Sequence, residues 1–214
     1  MKIFTKEGIK TYLTYYGWTI LVLPLVLWSG FYFIFKTMYA PKRYEQLTFF
    51  YAAYGLKDNS LHDRMQKDLE EYGCYEVNYY DYSILDKKIY EYYSALKDNC
   101  DFFVFSEHDL LEMKEVIQDE FKVLTDDLLS RIDLPSFYTT YAYEDINYGI
   151  KLIDKDDDSY NQKSEFSSII NYSLNDNKDS FYLLVNKNTE NFDLEANHTL
   201  GYIGLNYLFH DAIK

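Results

Sequence analysis

The sequence predicts an α/β protein: a single N-terminal transmembrane helix, then one mainly parallel, three-layer α/β lobe. Three observations carry this. An uncharged apolar stretch lies near the amino terminus. Short β-rich runs then alternate with amphipathic stretches at helical spacing. The length of 214 residues suits one ordinary domain plus an appendage and is too short for two full domains. The expected layout is a short cytoplasmic amino terminus over residues 1–10, a membrane anchor over 11–39 and an extracellular α/β domain over 40–214.

The first element is the anchor. No charge falls between Lys10 and Lys36, a run of 25 residues from Thr11 to Phe35. About 20 apolar residues cross a bilayer as a helix, so the length suffices. Trp18 and Tyr15 at one end and Tyr32 and Tyr39 at the other suit the aromatic belts of the two interfaces. Pro24 is expected to kink the helix, which lipid-buried helices tolerate. The rivals are a buried core helix and a cleaved signal peptide. The apolar part of a signal peptide normally runs about 7 to 15 residues, shorter than this one. The only cysteines, Cys74 and Cys100, lie well beyond the segment, so it lacks a lipoprotein-type attachment point.

Flanking charges leave the orientation nearly balanced. Lys2, Lys6 and Lys10 precede the helix, and Lys36, Lys42 and Arg43 follow it. From Tyr44 on, however, 34 acids face 15 bases, a net charge of −19. An anionic inner leaflet repels such a domain, so the sequence favours the amino terminus inside and the domain outside. The whole chain carries a formal charge of −14, which argues against nucleic acid, since phosphate binding needs a cationic face. Aromatic residues make up 20% of the chain, 25 of them tyrosines, so a packed fold is expected in place of disorder.

The lobe begins with Leu47 to Ala53, a β-rich run that ends at Tyr54-Gly55. Asn59-Ser60 offers a helix cap, Leu61, Met65, Leu69 and Tyr72 form a helical stripe, and Gly73 closes that helix. Tyr75 to Tyr80 is the second strand, and Leu85, Ile89, Tyr92 and Leu96 mark the second helix. Asp101 to Phe105 is the third strand, followed by a helix through Leu110, Leu111, Val116 and Ile117. Strands separated in this way imply βαβ crossovers and a parallel sheet. Further on, the sequence predicts a short helix near Asp126 to Ile132 and an aromatic loop from Pro135 to Tyr143. A strand over Tyr148 to Ile153, an acidic loop over Asp154 to Lys163 and a short helix over Glu165 to Tyr172 come next. The last strand is Ser180 to Asn186 and the last helix Leu194 to Asp211.

Open parallel sheets bind ligands beyond the carboxyl ends of their strands. The residues expected there are Tyr54 and Gly55 after the first strand, Tyr82 after the second, and Ser106, Glu107 and His108 after the third. The plainer reading is loop chemistry, with Ser106 or Glu107 capping the next helix. Ser106, His108 and Asp109 are too close in sequence for a hydrolytic triad, and no Gly-x-Ser-x-Gly elbow exists. The histidines and cysteines lack zinc spacing. The Asp154 to Glu165 run places carboxylates at calcium-loop positions, but Ser159 stands where that loop needs glycine. No cofactor or metal is therefore expected. Tyr79, Tyr80, Tyr82, Tyr90, Tyr92 and Tyr93, or Phe137, Tyr138, Tyr141 and Tyr143, offer an aromatic surface for a protein partner, with ordinary packing as the plainer reading.

The order of these pieces resembles the extracellular solute-binding proteins of ABC transporters with the type 2 periplasmic binding fold. The likeness rests on Cys100 to Ser106 followed by a helix and Phe121-Lys-Val-Leu-Thr-Asp-Asp, on Tyr148 to Ile153, and on Ser180-Phe-Tyr-Leu-Leu-Val-Asn-Lys187, and spans roughly residues 45 to 190. That family has two lobes around a ligand cleft, whereas roughly 25 residues follow the Asn186-Lys187 strand here, so a reduction to one lobe is expected. Sugar binding on tryptophan faces is not expected either, since Trp18 and Trp28 both lie in the apolar segment. The resemblance implies a non-enzymatic, membrane-anchored binding or accessory subunit beside a membrane-protein partner such as an ABC transporter, with a small molecule as a further ligand. The alternative is a sensory or protein-interaction ectodomain with an aromatic partner surface. In the resembled fold the first strand lies between the second and third. Cys74 and Cys100, one residue before those strands, would then sit about 10 Å apart, against the 7 Å or so that a bridge allows. A disulfide and two free thiols both remain open.

Overall fold

A computed structural model describes residues 6–58, 60–86, 88–164, 166–175 and 177–211. Lys2, Asn59 and Glu165, named above as a flanking charge, a cap and a loop carboxylate, lie outside the described residues, as do the side chains of Lys6 and Tyr15. The chain divides into two compact units, Met1–Pro41 and Lys42–Lys214.

The first unit is one helix, α1 (Lys6–Tyr39), with Pro24 inside it. Its segment Tyr16–Tyr39, 24 residues with a mean hydropathy of 1.9, is long and apolar enough to cross a membrane. Its large side chains face outward: Trp28 is 69% exposed and Phe31 73%. The hydroxyls of Thr11, Thr14, Ser29 and Thr37 each donate to a carbonyl three or four residues back. Such back-bonding removes the donors that an apolar surround would leave unsatisfied.

The second unit opens with a single 3-10 turn and the strand β1 (Gln46–Ala53), then α2 (Leu61–Leu69), β2 (Glu76–Ser83), α3 (Ile89–Leu96) and β3 (Phe102–Ser106). The helices α4 (Glu107–Glu112), α5 (Ile117–Glu120) and α6 (Asp126–Arg131) follow. Next come the hairpin β4 (Thr140–Tyr143) and β5 (Ile146–Ile153), then α7 (Asp158–Ser164) and the small ribbon β6 (Ser173–Leu174) and β7 (Asn177–Lys178). The chain closes with β8 (Phe181–Val185) and α8 (Leu200–Asn206), which runs into a π-helical turn. Gly73 ends the α2 segment at φ 86°, a left-handed cap that costs glycine no side-chain clash.

Six strands form one sheet in the order β2-β1-β3-β8-β5-β4. Alternate residues of the central strands feed two cores. Leu47, Phe49, Tyr51, Phe102, Val104, Ile150 and Leu183 pack under α2 and α8 on one face. Phe50, Ala52, Phe103, Phe105, Tyr182 and Leu184 pack under α3, α4 and α5 on the other. A sheet covered on both faces requires continuous apolar strands, which is why β1 and β3 read as unbroken hydrophobic runs.

The sheet is mixed, not mainly parallel as expected. β1 pairs in parallel with β2 and β3, but β8 runs antiparallel to both β3 and β5, and β4 antiparallel to β5. The cause is the excursion over residues 154–180. It leaves β5 and enters β8 at the same sheet edge, where Ile153 faces Phe181, so β8 has to run back. The stretch expected as an aromatic loop contains β4, because Glu144 and Asp145 both take positive φ (50° and 62°) and close a two-residue hairpin. The acidic loop contains α7, and the expected Glu165 to Tyr172 helix is a 3-10 turn at Phe166–Ser168. The last helix starts only at Leu200, since Asn197 adopts φ 60°.

A buried polar knot ties the amino-terminal sheet edge. Asp101, fully buried, accepts from Arg43 Nη2 (3.1 Å), Asn191 Nδ2 (3.0 Å), the Thr48 amide (2.8 Å) and the Thr189 hydroxyl. Asn186 belongs to the same knot, its amide donating to the carbonyls of Lys97 and Cys100 at 2.6 and 2.7 Å. Cys74 and Cys100 are buried free thiols. They flank β1 from its two sides and belong to the two opposite cores, so no bridge can span them. Burial pushes their thiols up to about 11 and about 12.

Candidate functional site

The carboxyl ends of β1, β2 and β3 share one edge of the sheet, where the expected ligand residues fall. Gly55 takes φ 104°, which turns the chain sharply out of β1. The segment around residues 166–172 then seats against that turn. Tyr54 N donates to Asn171 O (3.2 Å), Asn171 N to Gly55 O (2.8 Å) and Lys57 N to Ile169 O (2.7 Å). Lys57 also reaches across to Ser167 O (2.8 Å) and over the Tyr172 ring (5.0 Å). The ground beyond β1 is therefore occupied by the protein's own chain.

The remaining expected residues diverge. Tyr54 packs against the α2-side core and lies edge-on to Phe181 (6.3 Å between centroids). Tyr82 packs against the opposite core and stacks on Tyr92 (4.4 Å). Ser106 caps α4, its hydroxyl accepting from Asp109 N (3.1 Å) and donating to Asp109 Oδ2 (2.7 Å). The capping reading of Ser106 thus accounts for its contacts. His108 turns to solvent and pairs with the exposed Glu112 (3.4 Å), while Ser106 bonds Asp109 directly, so the three do not line up as nucleophile, histidine base and acid.

Glu107 has a polar neighbourhood that sequence reasoning missed. Lys155 Nζ lies 2.9 Å from Glu107 Oε2, and Ser180 binds both segments, its carbonyl accepting from Glu107 N and its hydroxyl from Lys155 N. The hydrogen bond to Glu107 raises Lys155 above the ordinary lysine range. Asp109 and Asp179 complete the group, and burial raises both carboxyls, against the pull of Ser106 on each. Burial first, and then these two acids, raise the Tyr54 phenol. Ser180 and Asp179 reach this edge only because β8 is antiparallel. A parallel β8 would have put them at the far end of the sheet, so nothing in the sequence pattern pointed to them. Among the described residues, no group of three or more His, Cys, Asp or Glu could hold a metal ion. In the acidic run, Lys151 pairs with Asp154 at 2.8 Å and Asp158 opens α7.

The aromatic surfaces divide unequally. Tyr93 and Tyr138 are buried, Tyr138 donating to Ser164 O at 2.8 Å, and Tyr80, Tyr90, Tyr92, Phe137, Tyr141 and Tyr143 are half-buried against the two cores. Of the expected rings Tyr79 is exposed, and two further tyrosines are exposed on the same stretch of chain. Tyr72 (57%), Tyr75 (62%) and Tyr79 (38%) run from the end of the α2 segment onto β2, an edge strand of the sheet. Grooves of about 550 and 280 Å³ follow α2 beside them, one against α8 and one toward Tyr75. Comparison with protein-family models, curated proteins and solved structures finds no match for this chain.

Proposed function

We propose that this chain is a single-pass, membrane-anchored accessory subunit whose α/β domain faces outside and binds a protein partner in a membrane complex, without catalysis of its own. The observation that supports this reading is where the exposed aromatic side chains lie. Tyrosines at hot spots of protein interfaces present large, rigid, amphipathic faces, and Tyr72, Tyr75 and Tyr79 do so along one edge of the domain. At the carboxyl edge, where a small ligand would sit, the ground beyond β1 is filled by residues 166–172 pairing with 54–57. The helix α1, by its length and hydropathy, supports the anchor, and the net charge of −19 from Tyr44 on supports an outward-facing domain.

On this reading the resemblance to solute-binding proteins concerns architecture more than ligand. The position of β1 between β2 and β3 is the arrangement that the resemblance implies. One α/β unit, Lys42–Lys214, does not by itself close on a solute, but it can still dock on a transporter-type assembly. The test is gentle detergent extraction of the tagged, full-length chain from its native membranes, with mass spectrometry of what stays bound. A stoichiometric membrane subunit is the expected result. Recovery of the chain alone, at detergent concentrations that keep known complexes intact, sinks the reading and sends the domain to a small-molecule screen.

A further inference from the structure

We propose that the groove between α2 and α8 receives an arginine side chain from a segment of the partner protein, an inference that rests on the partner-binding reading above. The groove, about 550 Å³, has an apolar floor from Leu69 and Ile203 and an aromatic wall from Tyr72. Its polar groups are acceptors. The carboxylates of Asp68 and Glu71 line it, and Tyr207, donating to Asp68 Oδ2 at 2.8 Å, fixes one of them. Asn206 borders it as well, its Oδ1 enclosed away from the groove and its Nδ2 donating to Arg131 O at 3.3 Å.

A wall of acceptors over an apolar floor calls for a donor-rich cation on an aliphatic stem. Arginine fits better than lysine, because its guanidinium carries five donors in a plane and stacks on aromatic rings. The cations nearby do not outnumber the acids. The Arg131 guanidinium is held by Asp127 at 2.8 Å, and Lys67 lies in the adjoining groove with three carboxylates, Asp68, Glu70 and Glu71. The next groove extends the acidic strip through Asp63 toward Tyr75, giving further basic residues of the same segment a place to follow. The charge of −19 beyond Tyr44 draws a basic partner to the domain at long range. The groove is open along one side and would leave much of a free metabolite in solvent, which favours a side chain delivered on a protein.

The test uses the full-length chain in mild detergent and a fluorescein-labelled ten-residue peptide alternating arginine with leucine and glycine. A second peptide carries citrulline, the neutral isostere, in place of arginine. Anisotropy titrations compare the parent with Asp68→Asn/Glu71→Gln, with Tyr72→Ala, and with Glu91→Gln/Asp98→Asn. The last pair removes the same charge from exposed positions on the opposite face of the sheet. Expected are binding of the arginine peptide, a loss of about tenfold or more in the groove pair, a loss of about fivefold in Tyr72→Ala and less than about twofold in the remote pair. Equal binding of the citrulline peptide, equal loss in the remote pair, or no binding of the arginine peptide overturns the assignment. If that happens while membrane extraction still returns a partner, the groove is wrong and the partner reading stands. If extraction returns the chain alone, the partner reading itself has failed.

Discussion

At the scale of single residues, His62 is the most exposed to a change of conditions. It is buried to 2%, stacks on Tyr79 at 4.1 Å, contacts the Tyr51 hydroxyl through Nε2 at 3.2 Å and leaves Nδ1 without a partner. Burial lowers it from 6.5 to about 4, with only Asp58 pulling the other way. Because the unfolded chain binds the proton more tightly, stability is whole above pH 6.5 and is lost as pH falls toward 4, by about 3 kcal/mol for this one group. His62→Phe keeps a ring and removes the titration, so its melting temperature should fall less than the parent's between pH 7 and pH 4.5. Parallel falls would exclude His62 as the cause. Asp101 is the opposite case, a charge whose partners are all in place. Asp101→Ala leaves Arg43, Asn191, Thr189 and the Thr48 amide without their acceptor and should cost about 3 kcal/mol in urea unfolding. A loss below about 1 kcal/mol would mean that water replaces the carboxylate. Neither role was legible beforehand. The sequence shows a histidine beside a helical stripe and an acid at the start of a strand, and only the folded packing reveals which of them is enclosed and by what.

Among the elements, the first half of the domain was readable and the second half was not, for a physical reason. Strands β1 to β3 with α2 and α3 alternate in short, local units, and the short apolar runs of β1 and β3 give way to apolar residues at helical spacing. Beyond Phe121 the elements depend on distant partners. The strand β4 is four residues long and its side chains are only partly covered, so no alternation marks it. The helix α7 hides in an acidic run whose Asp157 caps it through Ser159 N and Tyr160 N. Strand direction was lost together with these elements, and with it the Glu107–Lys155–Ser180 group. The β4–β5 turn offers a test at this scale. Glu144 and Asp145 carry side chains at φ 50° and 62°, where asparagine and glycine are favoured. Glu144→Asn/Asp145→Gly should raise stability by about 1 kcal/mol, even after loss of the exposed Gln118–Glu144 hydrogen bond. A lowered melting temperature would show that the Gln118 contact matters more than the turn.

For the molecule as a whole, the proposed anchor makes the side of a membrane on which the acidic domain would lie the property to measure, and the chain contains its own control for measuring it. Both native cysteines are buried, and burial raises both thiols to about 11 and about 12, so neither presents a thiolate to a labelling reagent near neutral pH. A cysteine placed at an exposed position therefore reports on a silent background. Glu195 lies in an exposed turn of the domain, and Glu7 in the first turn of α1, before the apolar segment. With the domain outside, Glu195→Cys should react with a membrane-impermeant maleimide on intact cells, while Glu7→Cys should react only after permeabilisation. The near tie of Lys2, Lys6 and Lys10 against Lys36, Lys42 and Arg43 makes the charge of −19 the term that decides. Labelling of Glu7→Cys on intact cells, with Glu195→Cys silent, would put the domain inside. The tyrosine edge and the α2–α8 groove would then have to meet a cytoplasmic partner. If both positions stay silent until permeabilisation, α1 does not cross the membrane, and the anchor itself is lost.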